Sequence, residues 1–283
     1  MKLRKVTAAA AAALVLSLTA TACGGDDKDS DAGSGATDGG GGTIKVGIKY
    51  DQPGLGLKEA GGEFSGFDVD VATYVAKELG YAPDKIEFVE TKSADRETAL
   101  DRGDVKFIAA TYSITDERKQ KVDFAGPYLL AHQDLLIKSD SDITEATDLN
   151  GKKLCSVTGS TSAQNVKDEI APKAQLRSYG TYSECIAGLQ SGAVDAVTTD
   201  DSILAGFAAQ EQYKGQFKLT GLKLSNENYG IGVKKGDTET VNKINAALEK
   251  MVSDGAWETA VKENFGPANY KNEPAPKIGD IKS

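Results

Sequence analysis

FDVDVATYVAKELG, residues 67–80, sets the fold: Val69, Val71, Ala72, Val75 and Leu79 recur at the spacing of one helical face, and Gly80 follows as a C-terminal stop. TIKVGIK (43–49) before it and KIEFVE (85–90) after it alternate apolar and polar side chains and read as strands. A strand, a helix and a second strand in that order are the mark of α/β architecture. The same pattern continues outward. A helix is predicted over 94–102, a nearly continuous apolar strand suited to a sheet centre in VKFIAA (105–110), and another strand in QDLLIK (133–138). A second unit then repeats the alternation: KKLCSV (152–157) as a strand, a helix from Ser160 to Ile170, AQLRSYG (174–180) as a strand, a helix over 182–191, AVDAVTT (193–199) as a strand and a helix over 201–210. YGIGVKK (229–235) is a late strand, and helices over 238–253 and 256–265 close the pattern. Neither a short internal repeat nor a heptad pattern interrupts it. Two α/β units of unequal length imply a cleft between them, where ligands usually bind. That pattern alone fits a two-lobed binding protein and a two-domain enzyme equally.

The amino-terminal region has a different character. Lys2, Arg4 and Lys5 precede an apolar run from Val6 to Thr21 that is of secretory type and short for a membrane span. It ends in Ala20-Thr21-Ala22-Cys23-Gly24, small residues before a cysteine that resemble a lipobox, with Ala20 where leucine is usual. Residues 1–22 are therefore expected to be a signal peptide, with Cys23 acylated as the mature terminus. An ordinary signal peptide with an incidental Cys23 is the plainer alternative. Residues 24–42, GGDDKDSDAGSGATDGGGG, contain no apolar side chain larger than alanine and cannot offset the entropy of ordering. They read as a flexible tether with a typical span of about 24 Å.

Composition removes several function classes. The 283 residues, 40% hydrophobic, suffice for two modest cores. The single histidine, His132, makes histidine-based metal sites and Ser-His-Asp chemistry poor candidates, and no metal or cofactor is indicated. The net charge of −9 falls to −12 when the three leader cations are removed, which argues against nucleic-acid binding, since that needs a basic face. With Cys23 acylated, Cys155 and Cys185 remain; in an exported chain such a pair is most simply a disulfide, worth roughly 3 to 4 kcal/mol. Two buried free thiols are the other reading.

Four stretches, GEFSGFDVDVATYVAKELG (62–80), ATYSITDERKQKVDFAGPY (110–128), KKLCSVTGSTSAQ (152–164) and SGAVDAVTTDD (191–201), resemble the polar amino-acid solute-binding proteins (family 3) that feed ABC permeases, in order and spacing over 43–266. Within that family IKYDQPGLG (48–56), SADRETAL (93–100) and TTDDSILAGFAAQ (198–210) are similar to glutamate-binding lipoproteins of actinobacteria. The resemblance implies a two-lobed clamshell of the periplasmic-binding-protein type II class, monomeric, held at the outer face of the cell membrane by the lipid and partnered by permease subunits. Lobe 1 would comprise 43–132 and 230–283, lobe 2 would comprise 133–229, and the two hinge crossovers would lie near 131–138 and 227–233.

It also implies a site. An α-amino acid needs a cation and an anion about one ligand-width apart. By the resemblance, Arg118 takes the α-carboxylate, where a guanidinium binds bidentately, with Thr111 and Ser113 beside it. GSTS (159–162) opens a helix whose N-terminus favours an anion, with Thr161 as the contact, and Asp200 accepts the α-ammonium. Arg96 and Lys49 are expected at a distal carboxylate, with Tyr182 adding its hydroxyl. On sequence alone each has a plain reading: Arg118 lies in a charged run, Arg96 can pair with Asp95 or Glu97, Lys49 can be a solvated strand end, and GSTS and Asp200-Asp201 can be helix caps. The implied ligand is an acidic amino acid, glutamate, with glutamine, aspartate and asparagine as alternatives. An enzyme of dehydratase type on the same fold and a signalling receptor's ligand sensor are the competing functions. No catalytic constellation accompanies the clamp, because His132 falls in the hinge.

Overall fold

The computed structural model describes residues 42–281. The leader, Cys23 and nearly all of the tether lie outside them. The strands are β1 (Ile44–Ile48), β2 (Asp51–Gln52), β3 (Gly56–Lys58), β4 (Phe64–Ser65), β5 (Ile86–Glu90), β6 (Phe107–Ile108), β7 (Val122–Lys138), β8 (Lys153–Val157), β9 (Gln175–Tyr179), β10 (Ala196–Asp200), β11 (Phe217–Leu219) and β12 (Asn226–Lys234). The helices are α1 (Phe67–Glu78), α2 (Arg96–Arg102), α3 (Asp116–Lys119), α4 (Thr161–Asn165), α5 (Tyr182–Ser191), α6 (Asp201–Ala208), α7 (Thr238–Ser253) and α8 (Ala256–Phe265).

A mixed sheet runs β5-β1-β6-β12-β7-β10-β8-β9, with β11 added to β7, and β2-β3-β4 form a small separate sheet. At one end β1 lies parallel between β5 and β6; at the other, β8 lies parallel between β10 and β9. Parallel neighbours require crossovers, and α1, α2, α4 and α5 occupy them in chain order. β7 links the two parallel ends. Val122 to His132 pair antiparallel with β12, Gln133 to Ile137 pair antiparallel with β10, and the change of partner falls between His132 and Gln133. The only part of β7 predicted as a strand was 133–138. Gly126-Pro127 conceals the rest, because proline cannot donate to a ladder, and the pairing with β12 shifts register between Tyr229 and Ile231 at that place.

Three other expectations are corrected. The helix over 160–170 is α4 followed by a π-helical turn over Val166–Ile170, the strand over 105–110 is reduced to β6, and β12 begins at Asn226, three residues earlier than read. By contrast α5, α7 and α8 coincide residue for residue with the predicted helices. The reason is local. α5 has a capping box between Thr181 and Glu184 and a left-handed Gly192 at its end, and α7 has Asp237 accepting from Thr240 N–H.

The α1 face predicted from sequence buries Val69, Val71, Ala72 and Val75 together with Phe67 and Ala76, against Ile244, Leu248 and Met251 of α7 and Trp257 and Phe265 of α8. The Trp257 indole N–H donates to Tyr128 O at 2.8 Å, so its burial leaves no polar atom unpaired. Beside β8, Leu135, Ile137, Ile143, Leu149, Leu154 and Val166 form a separate cluster. Cys155 of β8 and Cys185 of α5 are joined by a disulfide with Cα atoms 5.6 Å apart.

Candidate functional site

Ligand sites in open α/β sheets form beyond the carboxyl ends of the strands, and here both parallel ends contribute theirs. β1 ends into Lys49, β5 leads to Ser93 and Arg96, and β6 leads to Thr111 and Ser113; opposite them, β8 leads to Ser160, Thr161 and Ser162, and β10 ends at Asp200. All of these except Lys49 line one polar pocket.

The first wall is cationic. Arg96 is 2% exposed, Lys49 4% and Arg118 8%, which removes the solvated readings of all three. Arg96 Nη2 donates to Ala110 O, and its guanidinium lies 4.5 Å from the Tyr112 ring centre. Arg118 stacks on the same ring at 5.0 Å. Its Nη1 donates to Ser113 O at 2.8 Å, and its Nη2 reaches across the pocket to Gly159 O at 3.0 Å. Glu97 stands 3.9 Å from Arg118 Nε and accepts the Tyr112 hydroxyl at 2.8 Å. Lys49 does not line the pocket; its ammonium donates to Ser93 Oγ at 2.9 Å, and Ser93 does line it. Burial, and then the adjacent Arg96, hold the Lys49 amine well below its ordinary value.

The second wall carries hydroxyls and one carboxylate. Ser160 caps α4, accepting from Ala163 N–H at 3.4 Å, and Thr161 is the first helical residue, its hydroxyl donating to Glu227 Oε2 at 3.3 Å. Tyr182, the first residue of α5, receives the Thr199 hydroxyl proton on its own oxygen at 2.6 Å. Asp200 is 4% exposed, accepts the Tyr229 hydroxyl on Oδ2, and makes no cap to α6; Asp201 supplies that contact instead, accepting from Ser202 N–H at 2.8 Å. Burial, and then the neighbouring Glu227, push the Asp200 carboxyl well above the ordinary carboxylate range.

Three buried side-chain atoms lack a hydrogen-bond partner among the described residues: Gln52 Nε2, Arg96 Nε and Asp200 Oδ1. An unpaired buried polar atom is costly, so few survive in a folded protein. Arg96 and Asp200 line the pocket, and Gln52 stands behind it, its Oε1 accepting the hydroxyl of the lining residue Thr111 at 3.2 Å. Of the two that belong to lining residues, Arg96 Nε is a donor on the cationic wall and Asp200 Oδ1 an acceptor on the other. Such a set can hold a small molecule with negative charge at one side and positive charge at the other.

All the site residues predicted in this region are thus gathered in one place, with Lys49 one residue behind the surface. Sequence reasoning missed Ser93, Ser160, Ser162, Thr199 and Ile203 of the lining, although each lies inside or beside a quoted stretch. It also missed Tyr112, Asp68, Gln52 and Glu227, which act through long-range contacts that leave no local pattern. Cys23 lies outside the described residues. Among those residues no group of three or more His, Cys, Asp or Glu is placed to hold a metal ion, and no helix is long and apolar enough to cross a membrane.

Fold and site together define a solute-binding protein of the periplasmic-binding-protein type II class. The chain belongs to the bacterial extracellular solute-binding proteins, family 3, whose model matches residues 44–267. It is 49% identical over 236 residues to the glutamate-binding protein GluB of Corynebacterium efficiens, covering 80% of this chain and 79% of that one. It is 41% identical over 222 residues to the glutamine-binding protein GlnH of Bacillus subtilis, covering 78% and 80%. Among solved structures, an ancestral arginine-binding protein bound to arginine matches with a TM-score of 0.74 at 38% identity, covering 80% of this chain and 99% of that one. The family is one of solute binding, not of catalysis.

Proposed function

We propose that this protein is the capturing subunit of an amino-acid ABC importer and that its ligand is L-glutamate. One observation carries the reading: a pocket lined by two guanidiniums and a carboxylate, in which Arg96 Nε is a buried donor and Asp200 Oδ1 a buried acceptor without partners. Arg118 takes the α-carboxylate with Thr111 and Ser113 beside it, Asp200 Oδ1 accepts the α-ammonium, and Thr161 with the start of α4 closes on the carboxylate from the other side. Arg96, backed by Lys49 through Ser93, meets the γ-carboxylate, and Tyr182 bounds that end. Arg96 makes no ion pair with a carboxylate among the described residues, and a ligand carboxylate would supply one. The 49% identity to a glutamate-binding protein supports the same choice.

Because its contacts come from both parallel ends of the sheet, the ligand draws them together on binding. The change of partner along β7 at His132 and the entry of β12 at Asn226 support lobes of 43–132 with 230–283 and of 133–229, hinged at those strands. Acylation of Cys23 would hold the protein at the outer face of the membrane as a monomer beside its permease. Calorimetric titration with glutamate, glutamine, aspartate and asparagine tests the ligand: glutamate should bind at one site per chain and most tightly, and equal or tighter binding of glutamine would refute the assignment. Cys23→Ala should release the protein from the membrane, and retention would refute the anchor.

A further inference from the structure

Asp68 is fully buried in the first turn of α1, is not itself part of the pocket lining, and is hydrogen-bonded to the lining residue Thr111. Its Oδ2 accepts the backbone N–H of Thr111 at 2.9 Å and its Oδ1 accepts the Tyr128 hydroxyl at 2.7 Å. Thr111 has φ 47°, the left-handed region, which is a rare and unfavourable conformation for a β-branched residue. Something must hold it there, and the buried carboxylate on its amide is the strongest contact available. The orientation of that peptide has a consequence one atom away. The preceding carbonyl, Ala110 O, is turned to accept both Arg96 Nη2 and the Thr111 hydroxyl, the latter at 2.8 Å. Arg96 is thereby fixed by a main-chain oxygen and not by a carboxylate, and its Nε is left unpartnered.

We propose that Asp68 is a positioning residue for ligand selection: by gripping the Thr111 amide it fixes the Ala110–Thr111 peptide, whose carbonyl aims Arg96 at the distal end of the ligand. The chain of contacts runs from Asp68 to Thr111 N–H, through the peptide to Ala110 O, and on to the guanidinium. Asp68 is also a counter-charge for the cationic wall at a distance: burial pushes its carboxyl up to about 6, and Arg96 and Lys49 pull against that. Held behind the wall, it lowers the cost of gathering the cations without competing for the face that meets the ligand.

The inference rests on the reading that Arg96 meets the γ-carboxylate of glutamate, and the test separates the two. Glutamate and glutamine are titrated into the wild type, Arg96→Ala, Asp68→Asn, Thr111→Gly and the double variant Asp68→Asn/Thr111→Gly. Asp68→Asn should weaken glutamate roughly tenfold, the worth of about one hydrogen bond, while glutamine changes by about twofold or less. Glycine adopts positive φ without penalty, so with Thr111→Gly already present the addition of Asp68→Asn should move the glutamate preference by only about twofold. A purely structural role would lower the melting temperature and weaken both ligands alike, and that result overturns the proposal. So does a tenfold further loss of preference in the double variant relative to Thr111→Gly, which is the decisive comparison if Asp68→Asn alone does not fold. If instead Arg96→Ala leaves the glutamate preference intact, the assignment of Arg96 to the γ-carboxylate fails, and the positioning role fails with it. Loss of preference in Arg96→Ala but not in Asp68→Asn overturns the positioning role alone.

Discussion

The two walls of the pocket are built on opposite plans. On the cationic wall the charges are already held: Arg118 by Ser113 O and Gly159 O, Arg96 by Ala110 O, both by the Tyr112 ring, and Lys49 by Ser93. On the facing wall a single carboxylate, Asp200, keeps one oxygen without a partner and lies beside a second carboxylate, Glu227. One wall is an arrangement of donors held by backbone carbonyls, one of which, Gly159 O, belongs to the other wall. The other crowds a buried carboxylate against a second one, which the proposed ammonium would relieve. On the proposed reading the contrast gives affinity and selectivity separate seats: the clamp on the α-carbon groups spans both walls, whereas the choice of side chain rests chiefly on Arg96 of the first.

The largest effect should come from breaking the clamp. Arg118→Ala or Asp200→Asn should each weaken every amino-acid ligand by about 4 kcal/mol, roughly a thousandfold, as expected for removing one side of a buried charged contact. Calorimetry checks this, and a selective loss confined to glutamate would merge the two seats into one. Next is the disulfide behind the second wall. Replacing Cys155 and Cys185 together by alanine should lower stability by about 3 to 4 kcal/mol in denaturant titrations. Glutamate affinity should change little, because neither sulfur lines the pocket.

A smaller effect, and the sharper one, is Arg96→Ala, which should weaken glutamate by about 2 to 3 kcal/mol and glutamine by well under half of that. Equal losses for both would contradict the division between walls. Asp68 gives a pH signature in stability. Its carboxyl is raised in the folded state to about 6 from an unfolded value near 3.9, so the folded state binds the extra proton between these values. The contribution of Asp68 is therefore fully present below about pH 4 and lost as pH rises through about 6. Relative to Asp68→Asn, the wild type should gain roughly 2 kcal/mol on acidification from pH 7 to pH 4, read from urea midpoints. A difference independent of pH would show that Asp68 does not titrate in this range.

Much of this was legible before the structure. α5, α7 and α8 announce themselves through periodicity and capping residues that act within one turn. Arg118 lies in α3, Thr161 opens α4 and Asp200 ends β10, each within a stretch that carries the family resemblance. What stayed hidden depended on distance in sequence. The first part of β7 was masked by Gly126-Pro127, tolerated there because β12 shifts register beside it. Lys49, a strand-end cation in the sequence, stands one residue back from the pocket, because Ser93, 44 positions later, takes its ammonium. Asp68, which no pattern in the helix over 67–80 singles out, is bonded to Thr111, 43 positions away. No periodicity or motif encodes such a pair; only the folded chain brings it together.

Removing one group at a time from the ligand tests the division of labour most directly. Calorimetry on the wild type should compare L-glutamate with glutarate, which lacks the ammonium, with γ-aminobutyrate, which lacks the α-carboxylate, and with L-glutamine, which lacks the distal charge. The first two should lose all measurable binding, and glutamine should bind at the same stoichiometry but more weakly than glutamate. Glutarate binding as tightly as glutamate would mean that Asp200 holds no ammonium, and the zwitterion clamp would be wrong.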